Sequence, residues 1–97
     1  MNRVRVTRDA KHDLDEIWLY VARDNIDAAS RLLEELKDRF RIIASSPEIG
    51  RGRDELKLGL RSHPVGNYVI YYRSLRSHIF ILRIVHGARD PRRLFQT

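Results

Sequence analysis

Hydrophobic and polar positions change period twice along this 97-residue chain. Residues 3–6 alternate Arg3, Val4, Arg5 and Val6, the two-residue period of a strand with one buried face. Thr7 follows as a helix N-cap, and Asp9 sits in the first turn, where the helix dipole favours an anion. From Ala10 the period is helical. Ala10, Leu14, Ile17, Trp18, Val21 and Ala22 form one apolar stripe, with Asp13, Asp15, Glu16 and Arg23 off it. A polar break at Asp24-Asn25 precedes a second helix, which starts at Asn25 or Asp27 and ends before Pro47. Its stripe is Ala29, Leu33, Leu36, Phe40 and Ile43, supported by Leu32 and Ile42. Asp27–Arg31 and Glu35–Arg39 are spaced as i,i+4 ion pairs. So short a connection predicts an antiparallel helical hairpin.

Residues 47–57 read as a loop, marked by Pro47, Gly50 and Gly52. Leu58 and Leu60 then alternate around Gly59, and His63-Pro64 either ends this strand or places it at an edge. Residues 68–73 (YVIYYR) are rich in strand formers, and Ser74–Ser77 make a polar turn. Residues 78–86 (HIFILRIVH) are almost continuously apolar, as expected of a central strand covered on both faces. Tyr71 and Tyr72 must point to opposite faces, one toward the core and one away; the pattern does not say which. Asp90-Pro91 would cap a short terminal turn whose Leu94 and Phe95 dock back on the core. The order β-α-α-β-β-β predicts an α+β fold, with a helical hairpin packed on a mostly antiparallel four-stranded sheet in one domain over residues 1–97.

Composition narrows the function classes. A hydrophobic content of 42% supplies one core and leaves little interior for a deep substrate pocket, so function belongs to a surface or shallow groove. There is no cysteine, no apolar leader in MNRVRVTRDA, and no apolar run long enough to span a bilayer, which gives the expectation of a soluble cytoplasmic protein without a membrane partner. His12, His63 and His78 are too scattered for a metal site, and Gly50-Arg51-Gly52 lacks the strand-then-helix context of a phosphate loop. No cofactor is expected. The charge, net +6, is uneven: residues 1–50 carry 9 basic and 10 acidic side chains, and residues 51–97 carry 10 and 3. Sixteen of the 19 basic residues are arginine, the side chain suited to bidentate contact with carboxylate or phosphate. The second half should therefore face an anion, either nucleic acid or an acidic protein.

Several short motifs in order carry a resemblance. Thr7-x-x-Ala10-x-x-Asp13-Leu14-x-x-Ile17-Trp18-x-Tyr20 is followed by Asp24-Asn25-x-x-Ala28-Ala29 and Ser46-Pro47-x-x-Gly50-Arg51. Asp54-Glu55-Leu56 and Gly59-Leu60-Arg61-Ser62 come next, and residues 68–73 and 83–90 complete the pattern. Over nearly its whole length the chain resembles ParE-type toxins of the RelE/ParE superfamily. The resemblance implies the toxin of a type II toxin–antitoxin pair, neutralised by a ParD-like antitoxin that wraps around it. ParE-type members poison DNA gyrase, whereas RelE-type members cut mRNA on the ribosome.

The nuclease branch needs groups that move protons and stabilise a phosphorane. Its C-terminal tyrosine position is Phe95 here, which has no hydroxyl. Lys57 and Arg61 remain of its basic cluster, while Gly59 and Tyr68 fall where further basic side chains would serve. A second nuclease pattern would use Glu55 as acid, Arg61 as phosphate binder and His86 as base. The expected reading is a non-enzymatic toxin that binds gyrase, alone or as the gyrase–DNA complex. The alternatives are a ribosome-dependent mRNA endonuclease and a non-toxic basic module for nucleic acid. Target-binding candidates are Arg61, Arg83, His86, Arg89, Arg92 and Arg93. Antitoxin-binding candidates are Leu14, Trp18, Val21, Leu33, Leu36, Tyr72 and Arg73, with Trp18 placed either in the core or at the edge of the receiving groove.

Overall fold

A computed structural model describes residues 2–95. Strand β1 (Arg3–Val6) leads into helices α1 (Arg8–Ala22) and α2 (Ile26–Ser45). A 3₁₀ turn (Pro47–Ile49) then precedes β2 (Arg51–Gly52), β3 (Leu60–Val65), β4 (Tyr68–Leu75) and β5 (His78–His86), and a second 3₁₀ turn covers Pro91–Arg93. The sheet order is β1-β5-β4-β3-β2. Among the described residues only β1 pairs in parallel, against β5; the other pairs are antiparallel. The class is the expected α+β, with five strands rather than four. The extra strand is a two-residue pairing of Arg51 with Ser62 and Gly52 with Arg61, too short to carry a hydrophobic period.

The helix starts follow the cap chemistry. Thr7 Oγ1 accepts from Ala10 N at 3.2 Å, and Asn25 Oδ1 accepts from Ala28 N at 2.9 Å. Pro64 stays in register with Val69, beyond the stretch of β3 that β2 covers, so its missing N–H faces an open edge. The i,i+4 pairs expected on α2 are not formed among the described residues. Arg39 reaches His63 Nε2 at 3.4 Å instead, and Arg41 pairs with Asp38.

Core packing occupies both faces of the sheet. Ile17, Leu36, Phe40 and Ile43 from the helices close on Ile70, Tyr72, Ile79, Ile81 and Ile84. On the opposite face Leu60, Tyr71 and Val85 are covered by Leu56, Leu82, Leu94 and Phe95, with the Tyr71 and Phe95 rings 5.2 Å apart, edge to face. Both tyrosines are therefore buried, on opposite sides. Tyr72 donates its hydroxyl to Pro47 O at 2.6 Å and accepts from Gly50 N at 2.8 Å, which clamps the chain leaving α2. A side chain at residue 50 would place Cβ 2.5 Å from that hydroxyl, so glycine is required by close approach.

Asp13 departs most from the pattern. Expected off the apolar stripe, it is only 8% exposed. The cause is the length of β1, which pairs with β5 only as far as Ile81. Beyond that point no strand among the described residues pairs with the outer edge of β5, and the N-cap and body of α1 supply substitutes. Thr7 Oγ1 donates to Leu82 O at 3.2 Å, and Asp13 Oδ2 accepts from Ile84 N at 2.9 Å. The same carboxylate takes Arg83 in a two-pronged pair, at 2.7 and 3.0 Å. A β-bulge at Tyr71/Tyr72 lies at this level of the sheet.

Candidate functional site

A concavity of about 810 Å³ lies where the second half of α1 leaves the end of β5. Its floor is apolar: Ile17, Val21, Leu32 and Ile84. Tyr20 and Tyr68 form its walls, and His86 and Arg89 stand at one end. The β3–β4 turn closes that end. Gly66 and Asn67 are its two central residues, and Gly66, first of the pair, has φ +57°, the arrangement of a type II′ hairpin. Gly87 N donates to Asn67 O at 2.8 Å, tying the turn to the residues after β5.

His86 is exposed but oriented. Its Nδ1 accepts from Ala88 N at 3.1 Å, so in the neutral ring the proton sits on Nε2. Its ring meets Tyr68 edge to face at 5.7 Å. Burial pushes the Tyr68 phenol above its ordinary value, with Tyr20 adding to the effect. Asp13 also lines the groove, but Arg83 and the Ile84 amide occupy its oxygens. The arrangement suits holding an apolar surface with an aromatic and cationic border. A smaller hollow of about 470 Å³, lined by Asp15, Trp18, Leu19 and Leu33, lies on the outer side of the hairpin.

The target-binding candidates do not form one surface. His86 and Arg89 share the groove end, and Arg92 and Arg93 follow in the terminal turn. Arg92 pairs with Asp90 at 3.1 Å, which holds the Asp90 carboxyl below its usual range. Arg61 donates to Gly50 O at 2.7 Å and bridges the loop after α2. Arg83 is committed to Asp13, whose hydrogen bonds raise its pKa further. Arg61 and Arg83 are thus each held by a partner within the chain while remaining part-exposed. Glu55, Arg61 and His86 are not brought together either. Glu55 pairs with Arg53 at 2.8 Å, and the β4 partners of Arg61 and His86 are Tyr72 and Tyr68, about 13 Å apart along that strand.

The antitoxin-binding candidates divide in the same way. Val21 lines the large groove; Trp18, with Nε1 3.4 Å from Ser30 Oγ, and Leu33 line the small one. Leu14 is half-buried against the core. Leu36 and Tyr72 are fully buried in the helix-side core and offer no surface to a partner in this structure: Leu36 is the centre of its helix stripe, and the Tyr72 hydroxyl is held by Pro47 O and Gly50 N. Arg73 projects from the opposite face of the sheet, because it alternates with Tyr72. The sequence reading missed Tyr20, Asn67, Tyr68 and Leu32 as groove residues. Ile17, Tyr20 and Val21, spaced i, i+3, i+4, were the available signal, since they widen the stripe of α1 beyond what the core uses.

Among the described residues no helix is long and apolar enough to cross a membrane. A sequence model of the family described as "ParE toxin of type II toxin-antitoxin system, parDE" matches residues 4–91. Toxin ParE1 of Caulobacter vibrioides is 32% identical over 93 residues, covering 95% of this chain and 96% of that protein. Toxin ParE3 of the same organism is 34% identical over 88 residues, covering 90% and 88%. Among solved structures, a chain of the chromosomal ParDE system from P. aeruginosa superposes with a TM-score of 0.75 at 25% identity, covering 89% of this chain and 96% of that one. A chain of the Mycobacterium tuberculosis RelBE2 toxin–antitoxin complex shares the fold, with a TM-score of 0.66 at 24% identity and coverage of 88% and 96%. A β-α-α-β-β-β-β chain matched from its first strand to its terminal turn belongs to the ParE toxin family of type II toxin–antitoxin systems.

Proposed function

We propose that this toxin acts by binding DNA gyrase, alone or on DNA, and that a ParD-like antitoxin neutralises it by laying an amphipathic helix into the groove beside α1. The observation that supports the reading best is the groove itself. It has an apolar floor of Ile17, Val21, Leu32 and Ile84 beside the exposed face of α1. A helix seats such a face through anchors at i, i+3, i+4 and i+7. Exposed Arg89 at the groove end would meet an acidic residue of that helix. The P. aeruginosa neighbour is part of a ParDE system, which agrees with a ParD-like partner here.

The target surface is assigned to the end of the molecule carrying His86, Arg89, Arg92 and Arg93. An antitoxin helix in the groove would cover the first two and block approach to the others. Binding is favoured over turnover because Glu55, Arg61 and His86 lie apart and Phe95 is packed against Tyr71. Induced expression of the chain alone tests the proposal. Growth arrest should come with a DNA-damage response and undiminished translation, and co-expression of the antitoxin should restore growth. Arrest of translation with mRNA cut at ribosomes, and no damage response, would overturn it.

A further inference from the structure

The face of the sheet away from the helices carries a second charged surface that neither the groove nor the terminal turn includes. In β1, Val4 and Val6 pack on the helix-side core, so Arg3 and Arg5 point the other way. In β5, Ile79 and Ile81 are buried on the helix side, so His78 and Phe80 also face away. Pairing then places these side chains in two rows. Arg5, Phe80 and Arg73 are neighbours across β1, β5 and β4; Arg3, His78 and Leu75 form the next row. The His78 and Phe80 rings are stacked, 6.0 Å apart and 29° from parallel. Phe80 is half-buried and belongs to neither core cluster.

The charge on this face is one-sided. Residues 1–8 and 56–89 contain no aspartate or glutamate, yet they carry Arg3, Arg5, Arg73 and Arg76 on or beside the two rows. The two carboxylates of the segment leading into β3 are engaged: Asp54 Oδ1 accepts from Gly59 N at 2.9 Å, and Glu55 pairs with Arg53. Gly59, at φ +81°, passes under Arg73, whose Nε would be 3.3 Å from a Cβ there. Arg3, Arg5, Arg73 and Arg76 form no ion pair among the described residues. Arg5 and Arg73 stand about 10 Å apart across two strand spacings, and Arg3 and Arg5 about 7 Å apart along one strand. An aromatic pair framed by arginines at these spacings matches the two features of a single strand of nucleic acid: phosphates for the guanidinium groups, and unpaired bases for the rings. A duplex keeps its bases stacked internally and would leave the rings unused.

We propose that this helix-free face, centred on Phe80 and framed by Arg3, Arg5 and Arg73, binds single-stranded DNA. The choice of DNA over RNA rests on the gyrase reading above; the choice of a single strand rests on the rings. The test is fluorescence anisotropy of the purified protein with a labelled dT12 oligonucleotide. U12, a 12-base-pair duplex and a polyglutamate peptide serve as separate ligands. Binding of dT12 should weaken steeply with salt, and the slope should be shallower in R5Q and R73Q, which remove phosphate contacts. The R5Q/R73Q double variant should lose at least tenfold in affinity. F80L keeps apolar bulk but removes the stacking ring, and should lose about five- to tenfold. Ring proton resonances of His78 and Phe80 should shift on titration with dT12. The proposal is overturned if dT12 fails to bind at low salt, or if these variants bind it as the parent does. Equal or tighter binding of U12, duplex or polyglutamate also overturns it. Gyrase inhibition is scored separately. Its absence with dT12 binding intact would sink the gyrase reading, whereas inhibition without dT12 binding would sink only this one.

Discussion

Replacing Asp13 tests whether one carboxylate holds α1 to the open edge of β5. In Asp13→Ala the Arg83 guanidinium and the Ile84 amide lose their acceptor together. Breaking a buried pair from one side costs about 3–5 kcal/mol. Here the Arg83 side chain keeps 21% of its exposure and can recover some hydration, so the lower end applies, about 3 kcal/mol. Asp13→Asn retains an oxygen for the Ile84 amide and loses the charge, for about 1.5 kcal/mol. Arg83→Met keeps most of the apolar stem and leaves Asp13 with the Ile84 amide alone, for about 2 kcal/mol. The double variant D13A/R83M should cost less than the sum of its parts by about 1–2 kcal/mol. Urea unfolding followed by far-UV circular dichroism measures all four. At a slope of roughly 1.5 kcal/mol per molar, Asp13→Ala should move the midpoint down by about 2 M. Additive single variants, or an Asp13→Ala loss under about 1 kcal/mol, would refute the reasoning.

Three further outcomes follow from the same geometry. Tyr72→Phe leaves Pro47 O and the buried Gly50 N–H without their partner and should cost about 2 kcal/mol by denaturant unfolding, with faster hydrogen exchange at Gly50. Burial first, and Arg39 second, lower the His63 pKa below 6.5, so the folded state takes up the proton less readily than the unfolded chain. Its contribution is therefore complete above about pH 6.5 and is lost as pH falls through the lowered folded value; His63→Gln should flatten that part of the stability profile relative to the parent. Val21→Glu places a charge on the groove floor and should weaken antitoxin binding in calorimetry by about 2 kcal/mol or more while leaving the unfolding midpoint nearly unchanged.

Much of the fold was legible because it rests on periodicity and caps. Thr7, Asn25 and Pro47 bound the helices where their chemistry requires, and the apolar run 78–86 became a central strand between β1 and β4, buried along its helix side but only part-covered at His78 and Phe80 on the other. What was hidden depends on edges. A two-residue strand has no period to read, and the burial of Asp13 follows from β1 ending at Val6, which leaves the edge of β5 to be capped. The site was less legible for the same reason. Sequence shows that arginines are plentiful, but not that Arg61 and Arg83 are spent on backbone and carboxylate partners while Arg3, Arg5 and Arg73 share an acid-free face. Leu36 shows the limit of reading stripes as surfaces, since the centre of a stripe is what the core consumes.

Supercoiling of relaxed plasmid by purified gyrase, with this protein added at increasing concentration, addresses the mode of action most directly. Dose-dependent loss of supercoiling, reversed by a ParD-like antitoxin and weakened in R89A/R93A, is the expected result. Full supercoiling activity at every dose, beside cleavage of mRNA in a translating extract, would contradict it.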